Sequence, residues 1–320
     1  MNYTHLTQDE RYQIYAYKQT GKSLNEIAME LGRNKSSIYR ELSRNTGGRG
    51  YRPKQANELA GERLKTKNKA IKMTGTLITK IEDKIKLDWS PEQISGRLLK
   101  DDGISISHET IYQYVLKDKK EGGNLYTHLR CQKKNKKRYG TKSHDKRGQI
   151  KDKVSIDDRP QIVEKKSRKG DWEGDLVIGK NHIRALVTLA DRKTKKVKIA
   201  IVDSKDADSV EKAITQLLEN ETVHTITFDN GKEFAHHKKM TKNTGAKIYF
   251  AHPYSSWEGG LNENTNGLIR QYFPKGSCFK SITHTNVKRV ENILNNRPRK
   301  TLGYATPNEI YSGERRVQYE

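Results

Sequence analysis

At 320 residues the chain is long enough for two or three domains, and a net charge of +24 with 32% charged residues makes a surface that repels itself and suits a polyanionic partner, nucleic acid first. No apolar run reaches the length of a spanning helix and no signal-peptide pattern opens the chain, which sets an anionic membrane aside. Cys131 and Cys278 are too few and too far apart for a disulfide framework or a zinc site, so the expectation is a reduced, cytoplasmic, nucleoid-associated protein.

Residues 1–50 predict three short helices. Thr7 with Glu10, and Ser23 with Glu26, fit the capping box, in which hydroxyl and carboxylate satisfy backbone N–H groups at a helix start. Gly21 and Gly32 sit where the chain reverses between helices. A third helix follows Asn34, with Ile38 and Leu42 facing inward at i, i+4. Lys35, Ser36, Ser37, Tyr39, Arg40 and Arg44 are then left for solvent or DNA. This is the spacing of a helix-turn-helix; a three-helix bundle with a solvated basic face shares it, and the net charge favours DNA.

Residues 51–69 are weak in apolar periodicity and are expected to be a linker running into a basic helix. A second helical domain is expected over 70–129, with Ile78, Ile81 and Ile85 along one helix and Ser90-Pro91 opening the next. Ser107 caps a third, leaving His108, Thr110 and Gln113 as candidate groove readers in a second helix-turn-helix; a plain helical bundle fits the same pattern. A basic linker is expected over 130–155, carrying Lys133, Lys134, Lys136, Lys137, Arg138 and Lys146, placed to follow a phosphate backbone.

Beyond it the period changes. Short β-branched runs at 176–178, 185–189 and 197–202, joined by turns, predict an antiparallel meander. Alternating helices and strands follow: a helix at 208–218, strands at 225–228 and 247–250, a helix near 234–240, and helices from Trp257 and Thr285. The fold class is α/β, a mixed sheet flanked by helices over 156–320, behind all-α amino-terminal domains.

Three carboxylates stand out by position. Asp175 falls at the start of the first strand, Asp229 ends the fourth before Asn230-Gly231, and Glu263 lies in a helix. If the first and fourth strands are neighbours, the two Asp side chains converge and a packed helix can add the Glu. Oxygen ligands without His or Cys favour Mg²⁺ or Mn²⁺ over zinc, and two such ions roughly 3.5–4 Å apart would clamp the attacking and leaving oxygens of a phosphodiester. Taken singly, each residue fits a structural role: Asp before Asn-Gly is a common turn former, and a helix-surface Glu is usually solvated.

Together these segments resemble the DDE-type bacterial transposases, most closely the insertion-sequence-thirty family. The matching residues are the helix-turn-helix from Thr7 to Glu41, the Trp89-to-Ile94 segment, Asp171-Trp172-Glu173-Gly174-Asp175, the block Phe228 to Phe234, and Pro253 to Gly276, closing with Asn296-Arg297-Pro298 to Thr306-Pro307. Thirty-three residues separate Asp229 from Glu263, the spacing of that group. The resemblance implies an RNase H-like catalytic domain in which Asp175, Asp229 and Glu263 are catalytic and bind Mg²⁺ or Mn²⁺, two ions. It implies a homo-oligomer on double-stranded DNA that recognises the element's terminal repeats, cuts there and transfers strands to a target site. Arg270, two turns past Glu263, is implied as a phosphate contact. A non-catalytic DNA-binding regulator derived from such an enzyme is the alternative.

Glu258 is the second choice for the third carboxylate, and Gly259-Gly260 departs from the family's more usual Arg-Gly, weakening the first turn of that helix. Trp257 is expected to be buried in packing, with base stacking as the other reading. His236-His237 and His252 are expected to be a solvated pair and a loop histidine. No nucleophilic Tyr stands in a recombinase-like setting, and no Gly-rich phosphate loop precedes a Lys-Ser/Thr pair, so no ATP is expected.

Overall fold

The computed structural model describes residues 5–66, 73–130, 150–253 and 255–313, in two compact units, Met1–Lys72 and Met73–Glu320. The expected basic tract at Lys133, Lys134, Lys136, Lys137, Arg138 and Lys146 lies outside the described residues, as does Cys131. Among the described residues no helix is long and apolar enough to cross a membrane.

Both expected capping boxes form, so Thr7 and Ser23 start α1 (Gln8–Gln19) and α2 (Leu24–Glu30), while the Asn34 side chain accepts the Ser36 N–H at the start of α3 (Lys35–Asn45). A short hairpin, β1 (Thr46–Gly47) with β2 (Gly50–Tyr51), leads into α4 (Pro53–Thr66), which packs on α1 and α3. The stretch expected to be a linker over 51–69 is therefore largely part of the amino-terminal unit. Its apolar signal is weak because Tyr51 and Ala56 suffice to join the core of Ile14, Ile27, Ala28 and Ile38. The remaining contact is polar: the Arg11 guanidinium pairs with Glu41 at 2.8 Å and donates to the Leu6 carbonyl and Asn57, while the Tyr51 hydroxyl donates to Glu41.

In the second unit, α5 (Gly75–Lys86), α6 (Pro91–Asp102) and α7 (His108–Lys120) enclose Leu77, Ile81, Ile85, Trp89, Ile94, Leu98, Ile111 and Val115. Leu77, a full turn before Ile81, takes the buried place expected for Ile78. Ser90 closes a capping box with Gln93, and Ser107 caps α7.

After the short α8 (Gln161–Glu164) come β3 (Asp171–Ile178), β4 (Ala185–Asp191), β5 (Val197–Val202), α9 (Ala207–Leu218), β6 (Thr225–Phe228), α10 (His237–Thr244) and β7 (Lys247–Phe250). The sheet order is β5-β4-β3-β6-β7, with an antiparallel meander β3-β4-β5 and with β6 and β7 parallel to β3, the arrangement of an RNase H-like sheet. Helices α9 and α10 back the core around Trp172, Phe228 and Ile214. On the other apolar cluster lie α11 (Gly260–Ile269) and α12 (His284–Asn295), through Ile269, Val290 and Leu294. The last helix among the described residues is α13 (Pro307–Ser312). Edge strand β5 is covered by α12: Asn295 brackets the Val197 N–H and carbonyl, and Glu291 accepts the Ile199 N–H.

Strand β3 begins at Asp171, so Asp175 stands mid-strand and not at its start. The polar residues before it carry no strand signal in the sequence, yet they are buried: Asp171 accepts from Arg168 and Thr225, and Glu173 from Arg192. The helix expected near 234–240 starts later, at His237, after a 3₁₀ turn over Lys232–Phe234.

Glu41→Ala leaves the Arg11 charge buried without its carboxylate and is expected to destabilise the amino-terminal unit by about 3–5 kcal/mol. Amide exchange over residues 8–66 of the full chain measures this; wild-type protection there would contradict it.

Candidate active site

Gly174 carries no side chain where β3 meets β6, and a Cβ there would lie 2.3 Å from the Phe228 ring. The ring fills that space and stacks on Phe234, with centroids 4.1 Å apart. The parallel register pairs Glu173 with Thr227 and, carried two residues past the last pair, leads Asp175 toward Asp229, near enough for the Asp229 charge to act on it. The two aspartates expected to converge are thus brought to the same edge of the neighbouring central strands.

Asp175 is largely enclosed. Its carboxylate accepts the Leu176 N–H at 2.7 Å and the Asn266 amide at 2.6 Å. Burial pushes its pKa up to about 6; the charges of Asp229 and Glu233 add to this, while the Leu176 N–H and Asn266 oppose it. Asp229 is exposed at the end of β6 and accepts the Gly231 N–H at 3.0 Å, closing the Asn-Gly turn.

Helix α11 faces β3 through Asn262, which donates to the Gly174 carbonyl at 3.1 Å, and through Asn266. Glu263 is exposed, one turn before Asn266 on that side of the helix. Among the described residues, no three Asp, Glu, His or Cys side chains stand close enough together to hold a metal ion. Among those residues Asp175, Asp229 and Glu263 therefore do not form one ligand cluster. Like charges in a half-buried corner repel, and the neutral Asn266 amide occupies the contact with Asp175. The oxygen-only set still fits a hard cation, and the raised pKa of Asp175 marks a place short of positive charge.

The other expectations divide. Glu258 accepts both the His252 N–H and its ring nitrogen, each at 2.8 Å, and His252 also meets Asp157 at 2.9 Å. Glu258 and then Asp157 hold the imidazole pKa above its ordinary value. His237 is not solvated: it is buried edge-on against Phe250, while His236 faces Asp208. Trp257 is not buried either; it is 75% exposed, in a 3₁₀ turn whose following glycines offer it nothing to pack on. Arg270 caps the end of α11 and donates to the carbonyls of Ile178, Phe273 and Pro274, fastening that helix to the end of β3.

On α3, Lys35, Ser36, Tyr39, Arg40 and Arg44 are exposed and Ser37 is half-buried. On α7, His108 and Gln113 are exposed, Gln113 donating to Glu109 at 2.6 Å, while the Thr110 hydroxyl pairs with Ser107 at 2.9 Å. Sequence reasoning missed Glu233, Asn262 and Asn266. The last two follow from the helical period once α11 is laid on β3, and Glu233 lies inside the Phe228-to-Phe234 block that carries the resemblance.

Residues 2–45 match the family of helix-turn-helix domains. Such a domain ahead of an RNase H-like sheet with paired central aspartates defines a protein of the transposase–integrase class. The chain is 44% identical over 311 residues to the "Transposase for insertion sequence element IS4351" of Bacteroides fragilis, covering 96% of this chain and 95% of that one. It is 37% identical over 319 residues to the "Transposase InsI for insertion sequence element IS30A" of Escherichia coli K12, covering 96% and 83%. It belongs to the IS30 family of insertion-sequence transposases. The catalytic core domain of BIV integrase superposes on 47% of the chain and 98% of its own with 21% identity and a TM-score of 0.37.

Because the folded pKa of Asp175 lies above the unfolded value of about 3.9, its contribution to stability is fully present below that value and is lost as pH rises through about 6. Metal-free protein is expected to lose on the order of 2–3 kcal/mol across that window through this group. Asp175→Asn should flatten this part of the stability–pH curve in urea unfolding; an unchanged slope would show that Asp175 titrates normally.

Proposed function

We propose that the chain cuts DNA at the ends of an insertion element and joins the freed 3′ ends to target DNA. The observation that carries this reading is the pair of neighbouring aspartates, Asp175 on β3 and Asp229 just past β6, the first largely buried and short of positive charge. Asp175 and Asp229, joined by Glu263 from α11, would hold Mg²⁺ or Mn²⁺, two ions that when bound absorb the negative charge building on the phosphodiester oxygens. The protein's own part is placement. The Gly231 N–H orients Asp229, the Leu176 N–H and Asn266 orient Asp175, and Asn262 anchors the first turn of α11 to β3. Two glycines at the start of α11, Gly259 and Gly260, leave that turn weakly held, so Glu263 could approach the aspartates at little backbone cost.

The amino-terminal unit supplies the grip on double-stranded DNA at the terminal repeats. Asn34 starts α3 with Ser36 and Lys35 at its tip, and Tyr39, Arg40 and Arg44 follow along its exposed side. His108, Thr110 and Gln113 of α7, with Arg270 near the site, are the further DNA contacts of this reading. Two ends must meet for joining, so the working form is a homo-oligomer on DNA in the bacterial cytoplasm.

Asp229→Asn is expected to abolish Mn²⁺-dependent cutting and joining of a labelled end duplex while binding stays at wild-type strength. A variant that still joins strands removes Asp229 from the chemistry, and a wild type that binds without ever cutting supports a regulator instead. Lys35→Ala and Arg40→Ala should each weaken end binding and lower the slope of log affinity against log salt by about one. Fluorescence anisotropy at several salt concentrations measures it, and unchanged slopes would take α3 off the phosphates.

A further inference from the structure

The domain of α5, α6 and α7 is fastened to the sheet domain in a way that the cutting reaction alone does not require. Along one face of α6, Glu92 pairs with Lys300 at 2.6 Å, and Lys100 donates to the Gly303 carbonyl at 3.2 Å. Between them Arg97, 7% exposed, grips both Glu309 oxygens at 2.8 and 2.6 Å and also donates to the Tyr304 carbonyl at 3.1 Å. Its third nitrogen is held by Asp101 at 2.6 Å, so the guanidinium cannot turn away. Gly96 completes the fit: a Cβ there would lie 2.4 Å from the Tyr304 ring, so the ring rests on bare helix backbone. Tyr304 is itself held in left-handed backbone at φ 59°, an arrangement that surrounding contacts must maintain.

A second line of contact reaches α11. Asp88, in the turn between α5 and α6, accepts the Tyr272 hydroxyl at 2.9 Å and faces His128 at 3.0 Å. Tyr272 lies in the turn that ends α11, three residues past its last residue, its N–H donating to the Ile269 carbonyl. The Arg130 guanidinium lies against Gly267 of α11, where a Cβ would be 2.5 Å from it. Gly267 is one turn from Glu263.

We infer that this dock is a ruler: Gly96, Arg97, Tyr304 and Glu309 are positioning residues that fix α7 at a set distance from Asp175 and Asp229, so the bond cut lies a set number of base pairs from the sequence α7 reads. The inference rests on the reading of α7 as a DNA-contact helix and of the aspartates as the cutting site. A DNA-binding helix on a loose tether would hold the duplex but leave several phosphodiesters within reach. A helix braced at two separate points presents one.

The test is the position of the cut. Gly96→Ala drives a methyl group into the Tyr304 ring while making α6 a better helix, so the helical domain keeps its own fold. Arg97→Ala releases Glu309 by a different route. Both are measured as full chains on a labelled end duplex with Mn²⁺, alongside anisotropy and amide exchange over residues 91–102 and 307–312. Expected are binding within about twofold of wild type, faster exchange in both segments, and a loss of correct cutting on the order of 10²-fold with products spread to neighbouring bonds. If both variants cut solely at the wild-type bond, at full or reduced rate, the ruler is overturned, because a defect of stability alone lowers the rate and leaves the position unchanged. A wild type that binds but never cuts overturns the cutting reading and this inference with it; accurate cutting by wild type and both variants overturns this inference alone.

Discussion

Pairing β3 with β6 in parallel forces two carboxylates to share one corner of the sheet, and much of the molecule follows from that constraint. Neither residue can retreat: Gly174 and Phe228 interlock immediately before them, so the strands cannot slide without opening a void. Asp175 takes most of the strain, since it is enclosed where Asp229 is exposed, and its proton is correspondingly harder to remove. Around it the fold places neutral amides, Asn262 and Asn266, which satisfy backbone and side-chain acceptors without bringing in a fixed positive charge. A lysine or arginine in either place would quiet the electrostatics and close the corner to a divalent cation.

A few residues back along β3 the protein solves the same problem in the opposite way. Glu173 is buried, and burial raises its pKa, with Arg192 and Arg159 working against that rise. Arg192 reaches Glu173 at 2.7 Å and Glu164 at 3.1 Å, Arg159 also pairs with Glu164, and Asp191 accepts the Gly170 and Thr194 N–H groups. Here every buried acid has a resident basic or N–H partner, and the network ties α8 and the β4–β5 turn to the first half of β3. Such networks add little net stability over apolar packing, but they penalise any register other than the one that pairs them. The strand is therefore locked at one end by compensated charge and left uncompensated at the other.

This division explains which parts of the molecule were legible in the sequence. Helix starts were, because a capping box is a local bargain between residues three apart, and Thr7, Ser23, Ser90 and Ser107 all cap where expected. The meander and the crossover helices were, because β-branched runs and the helical period survive in a single sequence. The start of β3 was not, since Asp171 and Glu173 look like loop until Arg168 and Arg192 arrive from elsewhere. Nor was α4, whose attachment depends on Arg11, Glu41 and Asn57 meeting across three helices. At the site, Asp175 and Asp229 stand out by their places near strand ends and in the family's motifs, but the Glu233 and Asn266 contacts with Asp175 are products of tertiary packing. Trp257 and His237 exchanged the surroundings expected for them because burial of a single aromatic residue in a loop has no periodic signature.

The position of Trp257 has a use in spectroscopy. Of the chain's 3 tryptophans, Trp89 and Trp172 are at most 9% exposed while Trp257 is 75% exposed. A water-soluble quencher added to the intact protein therefore addresses Trp257 first, and it stands two residues before the glycines that open α11. The molecule carries its own optical reporter beside the helix that bears Glu263, with no label to attach and two shielded indoles as an internal reference.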